Sequence, residues 1–103
     1  MPLESSITKS IQNAARELGW YPVKYHGNQF TISGMPDLIC FRGSHAAFLE
    51  VKQPNKHPTK LQVHRMQEIT AKAGSPCYVV RSKEDAIKAL QDAWKDFKNK
   101  PRD

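Results

Sequence analysis

A chain of 103 residues has room for one domain with a modest core, and 39% hydrophobic with 25% charged content is ordinary for a globular protein. No run approaches the ~20 apolar residues that span a bilayer, and the start MPLESSITKS has neither the basic end nor the apolar centre of a signal peptide, so a cytoplasmic protein is expected. Lys and Arg number 16 against 10 Asp and Glu; the net charge of +6 favours polyanionic partners, nucleic acid above all.

Residues 3–18 predict an amphipathic helix, with Ile7, Ile11, Ala14, Ala15 and Leu18 at helical spacing and Gly19 as the stop. The β-branched and aromatic run WYPVKYH follows, then a turn at Gly27-Asn28 and a polar loop over residues 28–36. Residues 37–41 form a short apolar strand, Arg42-Gly43-Ser44 a turn, and residues 46–52 a second strand, together a hairpin. After a proline-bearing loop, residues 59–73 are helical up to Gly74, and residues 77–81 make another strand. Ser82 caps the last helix through a Ser-x-x-acid pattern, with Ala86, Ile87, Leu90, Trp94 and Phe97 as its buried face. The order αβββαβα predicts a single α/β domain over residues 1–97 with a central mixed sheet flanked by helices, and residues 98–103 as a frayed basic tail. Cys40 and Cys77 lie inside apolar runs without CxxC spacing, which fits buried free thiols better than zinc ligands or a disulfide.

Function is sought where polar residues occupy positions that geometry assigns to buried faces. In FLEVK, alternation puts Phe48, Glu50 and Lys52 on one face and Leu49 and Val51 on the other. Read alone, E-x-K is an exposed strand with an ion pair. Asp37, just after Gly34-Met35-Pro36, is a turn-former when read alone. If the hairpin closes near Arg42–Ser44, Asp37 returns beside Glu50 and Lys52, and two converging carboxylates repel unless a cation bridges them or one is protonated. Oxygen ligands of this kind suit Mg²⁺ or Mn²⁺. Glu4 falls close to the apolar stripe of the first helix, and Gln62 falls on the stripe of Met66, Ile69 and Ala73. Either could be a solvated helix end; together they point both helices at one polar pocket. His26, His45, His57 and His64 show no metal-ligand spacing. Lys24 is a candidate phosphate contact, as is His26 more weakly.

With these residues in place the sequence resembles the PD-(D/E)XK nucleases, and more narrowly the virus-type replication-repair nuclease family, VRR-NUC, in its stand-alone phage and prophage form. The resemblance is carried by Glu4, Gly34-Met35-Pro36-Asp37-Leu38, Phe48-Leu49-Glu50-Val51-Lys52, Pro58-Thr59-Lys60-Leu61-Gln62, Gly74 and Arg81-Ser82-Lys83-Glu84-Asp85, and covers residues 4–91. It implies a restriction-endonuclease-like core and Mg²⁺- or Mn²⁺-dependent hydrolysis of DNA to a 5′-phosphate and a 3′-hydroxyl. It also implies action on Holliday junctions or related branched DNA as a homodimer. A flap- or repair-type monomer and a non-catalytic DNA-binding domain of the same fold are the alternatives. Under this resemblance Asp37 and Glu50, with the Val51 backbone carbonyl, ligate the metal, and Glu4 binds through water or holds a second ion. Lys52 orients the attacking water or stabilises charge, and Gln62 positions Lys52 or the phosphate. Lys24, Lys56, Lys60 and Arg65 are the expected DNA-backbone contacts.

Overall fold

The computed structural model describes residues 3–26 and 32–100. Its elements are α1 (Glu4–Glu17), β1 (Tyr21–Lys24), β2 (Leu38–Arg42), β3 (His45–Val51), α2 (Lys60–Ala73), β4 (Cys77–Val80) and α3 (Lys83–Asn99). The order is the expected one, while several ends move. Asp37 stands just before β2 and Lys52 just after β3, and α3 runs on to Asn99, into the stretch expected to fray. The turn expected at Gly27-Asn28 and the end of the tail, residues 101–103, lie outside the described residues.

The sheet has the order β1-β2-β3-β4. The first three strands are antiparallel neighbours, and β4 pairs parallel to β3. Glycine makes the tight hairpin possible. Between paired Arg42 and His45, Gly43 takes φ 58°, which side-chain-bearing residues rarely adopt. Parallel pairing of β3 and β4 requires a long crossover, and α2 is that crossover. The connection leaves β3 at the end where the acidic residues lie.

One face of the sheet carries the core. Leu38 and Cys40 from β2, Ala47, Leu49 and Val51 from β3, and Val80 from β4 meet Ile7, Ile11 and Ala15 of α1 and Ala86, Leu90 and Phe97 of α3. Each fully buried leucine or isoleucine stabilises by roughly 1.5–3 kcal/mol relative to exposure. On α3 the small residues Ala89 and Ala93 take the buried places beside Leu90, and Ile87 is only half-buried. Cys40 is fully enclosed, and burial pushes its thiol up to about 12, which keeps it protonated and inert.

The opposite face is partly bare, because α2 covers it only beside β4. Met66 is the one buried residue on α2, so the expected stripe of Ile69 and Ala73 is not enclosed. Across β1 and β2, Tyr21, Val23 and Phe41 share this face by register and stay 64%, 39% and 44% exposed. Ile39, Ala46 and Phe48 continue the same apolar surface and are half-buried. Among the described residues no helix is long and apolar enough to cross a membrane.

Candidate active site

The hairpin register builds the centre of the site. Leu38 pairs with Leu49, so the next place along the ladder sets Asp37 opposite Glu50. The Tyr25 amide donates to the Asp37 carbonyl at 2.8 Å, which fixes the Asp37 backbone from the β1 side. Directly opposed residues on one sheet face bring their side chains together. Two acids separated by a hairpin are thereby held face to face, with Lys52 two places along β3 on the same side.

Glu50 is the least comfortable residue in the molecule. It is 1% exposed, and Thr8 is the other buried polar residue among those described. Its Oε1 accepts from Gln62 Nε2 at 3.4 Å and lies 3.8 Å from Lys52 Nζ. Its Oε2 is buried with no hydrogen-bond partner among the described residues. An ionised Asp37 offers only acceptor oxygens, so it can satisfy Oε2 only if a proton sits between the two acids. Burial first, then Asp37 through that shared proton and through its charge, pushes Glu50 up to about 8. Lys52 opposes the shift and Glu4 adds to it.

Gln62 reaches the site because of how α2 begins. Thr59 caps the helix by accepting the Gln62 amide at 3.1 Å, and Gln62 Oε1 accepts the Thr59 amide at 2.8 Å. That capping box uses the oxygen end of the side chain and turns the nitrogen end toward Glu50. The Gly34-Met35-Pro36 turn packs against the same helix start. A Cβ at Gly34 would lie 2.8 Å from Leu61 Cγ, and φ 81° there also excludes other residues. Arg65 locks the turn by donating to the Ser33 carbonyl at 3.0 Å while pairing with Glu68 at 2.9 Å.

The donor set fits a hard divalent cation. Asp37 Oδ2 accepts the Val51 amide at 2.7 Å. The amide and carbonyl of one strand residue point to the same side, so the Val51 carbonyl also faces Asp37. By register Pro36 stands opposite Val51, and proline has no N–H to give that carbonyl. Each carboxylate has one oxygen already bonded, Asp37 Oδ2 by Val51 and Glu50 Oε1 by Gln62, while Glu50 Oε2 has no donor among the described residues, an arrangement that a cation relieves. Among the described residues no three or more His, Cys, Asp or Glu converge as a closed ligand cage. Glu4 accounts for this: it is exposed at the first turn of α1 and acts on Glu50 through its field. A set of one or two carboxylates suits Mg²⁺ or Mn²⁺, which keep water and substrate oxygens as the remaining ligands.

The sequence-predicted residues therefore divide. Asp37, Glu50, Lys52 and Gln62 are brought together, and Glu4 stands at the edge. Lys24, at the end of β1, pairs with Leu38 and is exposed at the same end of the sheet, on the opposite face from Asp37; Lys56 and Lys60 are exposed on the loop and helix start that follow β3. Arg65 is committed to Ser33 and Glu68, which makes it a brace for the Gly34 turn. His26 is exposed, and His45 stacks on Phe97 at 4.2 Å at the far end of the sheet. Arg81 has a role that spacing does not disclose. Its guanidinium donates to the Lys56 carbonyl at 2.9 Å and 3.3 Å across 25 positions of sequence, clamping the loop after Lys52 to the end of β4.

No protein-family model matches the sequence, and no curated protein does either. Solved structures do match. A "VRR_NUC domain" superposes with a TM-score of 0.66 at 27% identity, covering 85% of this chain and 94% of its own. A "VRR_NUC domain protein" reaches a TM-score of 0.74 at 23% identity, over 91% and 89% of the two chains. Hjc, a Holliday junction resolvase from Archaeoglobus fulgidus, gives 0.62 at 15% identity over 76% and 67%. The fold is that of the restriction-endonuclease-like α/β class. Within that class, the chain is similar to the two solved VRR_NUC domains.

Proposed function

We propose that this protein is a Mg²⁺- or Mn²⁺-dependent, structure-selective DNA endonuclease that resolves Holliday junctions or related branched DNA as a homodimer. The observation that carries the reading is the buried carboxylate of Glu50, its Oε2 without a partner among the described residues, held opposite Asp37 with Lys52 beside it. A fold without catalytic work gains nothing from enclosing that group, since an unpaired buried polar atom costs about 1–3 kcal/mol. The likeness to VRR_NUC domains supports a nuclease, and the Holliday-junction activity of the archaeal relative supports branched DNA.

Asp37, Glu50 and the Val51 carbonyl would hold the ion, with Glu4 reaching it through water or holding a second one. A divalent ion there supplies polarisation of a phosphoryl oxygen and easier deprotonation of water. Lys52, 15% exposed and 3.8 Å from Glu50, directs its ammonium at the attacking water or at charge gathering on the pentavalent phosphorane. Gln62 fixes Glu50 and with it the angle at which Lys52 stands. Lys24, Lys56 and Lys60 ring the same end of the sheet and take DNA phosphates without reading sequence.

The bare apolar face supports the dimer. A contiguous surface of Tyr21, Val23, Ile39, Phe41 and Phe48 is the kind a partner covers. The deciding experiment offers labelled four-way junction, flap, splayed-arm and linear duplex DNA, with and without Mn²⁺. Paired symmetric cuts in the junction are expected. Flap-only cutting would indicate a monomeric repair enzyme, and DNA retention without any product would indicate a binding domain.

A further inference from the structure

We propose a second nucleic-acid site, for a single strand, in the cleft between the end of α1, the hairpin turn and the last turns of α3. It builds on the nuclease reading above. The cleft, of about 300 Å³, is lined by Leu18, Trp20, Arg42, Trp94, Lys95 and Lys98 among others. It lies at the opposite end of β2 from Asp37, roughly 17 Å along the strand, and on the α1 and α3 side of the sheet, whereas Asp37 shares the face of Ile39 and Phe41; a strand reaching it from the catalytic end rounds the sheet.

Trp94, Lys95 and Lys98 of α3 turn to the cleft, whereas Asp85, Asp92 and Lys88, the last paired with Asp92, border a different hollow with Tyr78. Asp96 stands on that acidic side too, since with Asp92 it helps raise the Tyr78 hydroxyl pKa. Arg42 joins the cationic flank from the hairpin. Its guanidinium lies 4.0 Å over the Trp94 ring, and Gly19 leaves it room, since a Cβ there would come within 3.4 Å of it. Among the described residues, none of Arg42, Lys95 and Lys98 is paired with a carboxylate.

Trp20 meets Trp94 edge-on at 6.0 Å and also lines a neighbouring hollow with Arg16 and Tyr21. The two hollows share Trp20, which is 3% exposed and forms their common wall, so the rings within reach are the half-buried Trp94 and the exposed Tyr21. Unpaired cations take phosphates, and the Arg42 guanidinium lying over Trp94, together with the Tyr21 ring, takes splayed bases. A duplex hides its base faces, and a cleft of this size does not admit one. An acidic peptide would use the cations and leave the rings idle.

Both tryptophans of the chain line this cleft, so tryptophan emission reports on it directly. The test titrates oligothymidylate into metal-free protein at low salt. Quenching is expected, and Lys95→Glu/Lys98→Glu, two exposed changes, should weaken binding at least about tenfold. Trp94→Leu should remove most of the quench. An unquenched titration, a charge-reversed protein that binds within twofold of wild type, or equal quenching by polyglutamate would overturn the proposal. Asp37→Asn protein should quench like wild type. Quenching without cleavage of any DNA by the wild-type protein would sink the nuclease reading and leave this site standing.

Discussion

Gln62 and Glu50 meet at 3.4 Å through an amide whose other end is already spent on the Thr59 backbone. Helix capping and active-site geometry are therefore one contact chain. Gln62→Ala should cost about 1 kcal/mol of stability through the lost capping partner and lower kcat more than KM. Gln62→Glu keeps the cap but sets a third carboxylate against Glu50. Its melting temperature should fall through that repulsion even though the cap is kept, and cleavage should fall at least as far as in the alanine variant, checked by melting and single-turnover rates.

Asp37→Asn and Lys52→Ala should each abolish cleavage, to below about one-thousandth of wild type if the electrostatic role is as large as such groups usually have. Both should still bind junction DNA in a shift assay. Metal-dependent cleavage surviving in purified Asp37→Asn protein would remove the central assignment.

The raised Glu50 has a pH signature with a definite sign. Between the ordinary carboxylate range and about 8, folded Glu50 keeps a proton that the unfolded chain has released. Stability of the metal-free protein should therefore fall as pH rises through that window and level off above it. Glu50→Gln should flatten the slope. Since the ion displaces the same proton, Mn²⁺ affinity should tighten with rising pH up to about 8, by up to tenfold per pH unit, measured calorimetrically.

Gly34→Ala should destabilise by about 1–2 kcal/mol from the left-handed backbone alone, with the Leu61 clash added. Because the turn rests on the start of α2, the same variant should lose cleavage beyond what its stability explains. Denaturant melts paired with rates at a temperature where the protein stays folded separate the two.

Phe41→Lys places a charge in the centre of the bare sheet face. The proposed dimer should be replaced by monomer in sedimentation experiments while the fold is kept, since Phe41 is 44% exposed and outside the core. A dimer of unchanged affinity would move the interface elsewhere.

The order of elements was legible from periodicity, and the pairing of Asp37 with Glu50 from alternation and the hairpin turn. Local rules suffice there because the two residues are joined by a short antiparallel ladder. Gln62 is legible as a polar group on an apolar stripe, but the capping box with Thr59 that aims it depends on side-chain geometry that periodicity does not carry. Arg65, expected from sequence as a DNA-backbone contact, also braces the turn, since Ser33 folds back onto α2; that contact joins segments 32 positions apart and no local pattern encodes it. Arg81 and the Trp20–Trp94 cleft depend on contacts between distant segments, and no spacing in one sequence encodes these.

The fold separates two tasks along one hairpin. Its glycine turn closes locally, between Arg42 and His45, and needs nothing else in the chain to form. Its open end presses two acids together and needs the α2 crossover, Arg65 and Arg81 to finish it. The proposed catalytic centre thus lies at the open end of the hairpin, where the backbone register alone leaves two acids opposed, and an ion arriving there would act on the chain as a fastener.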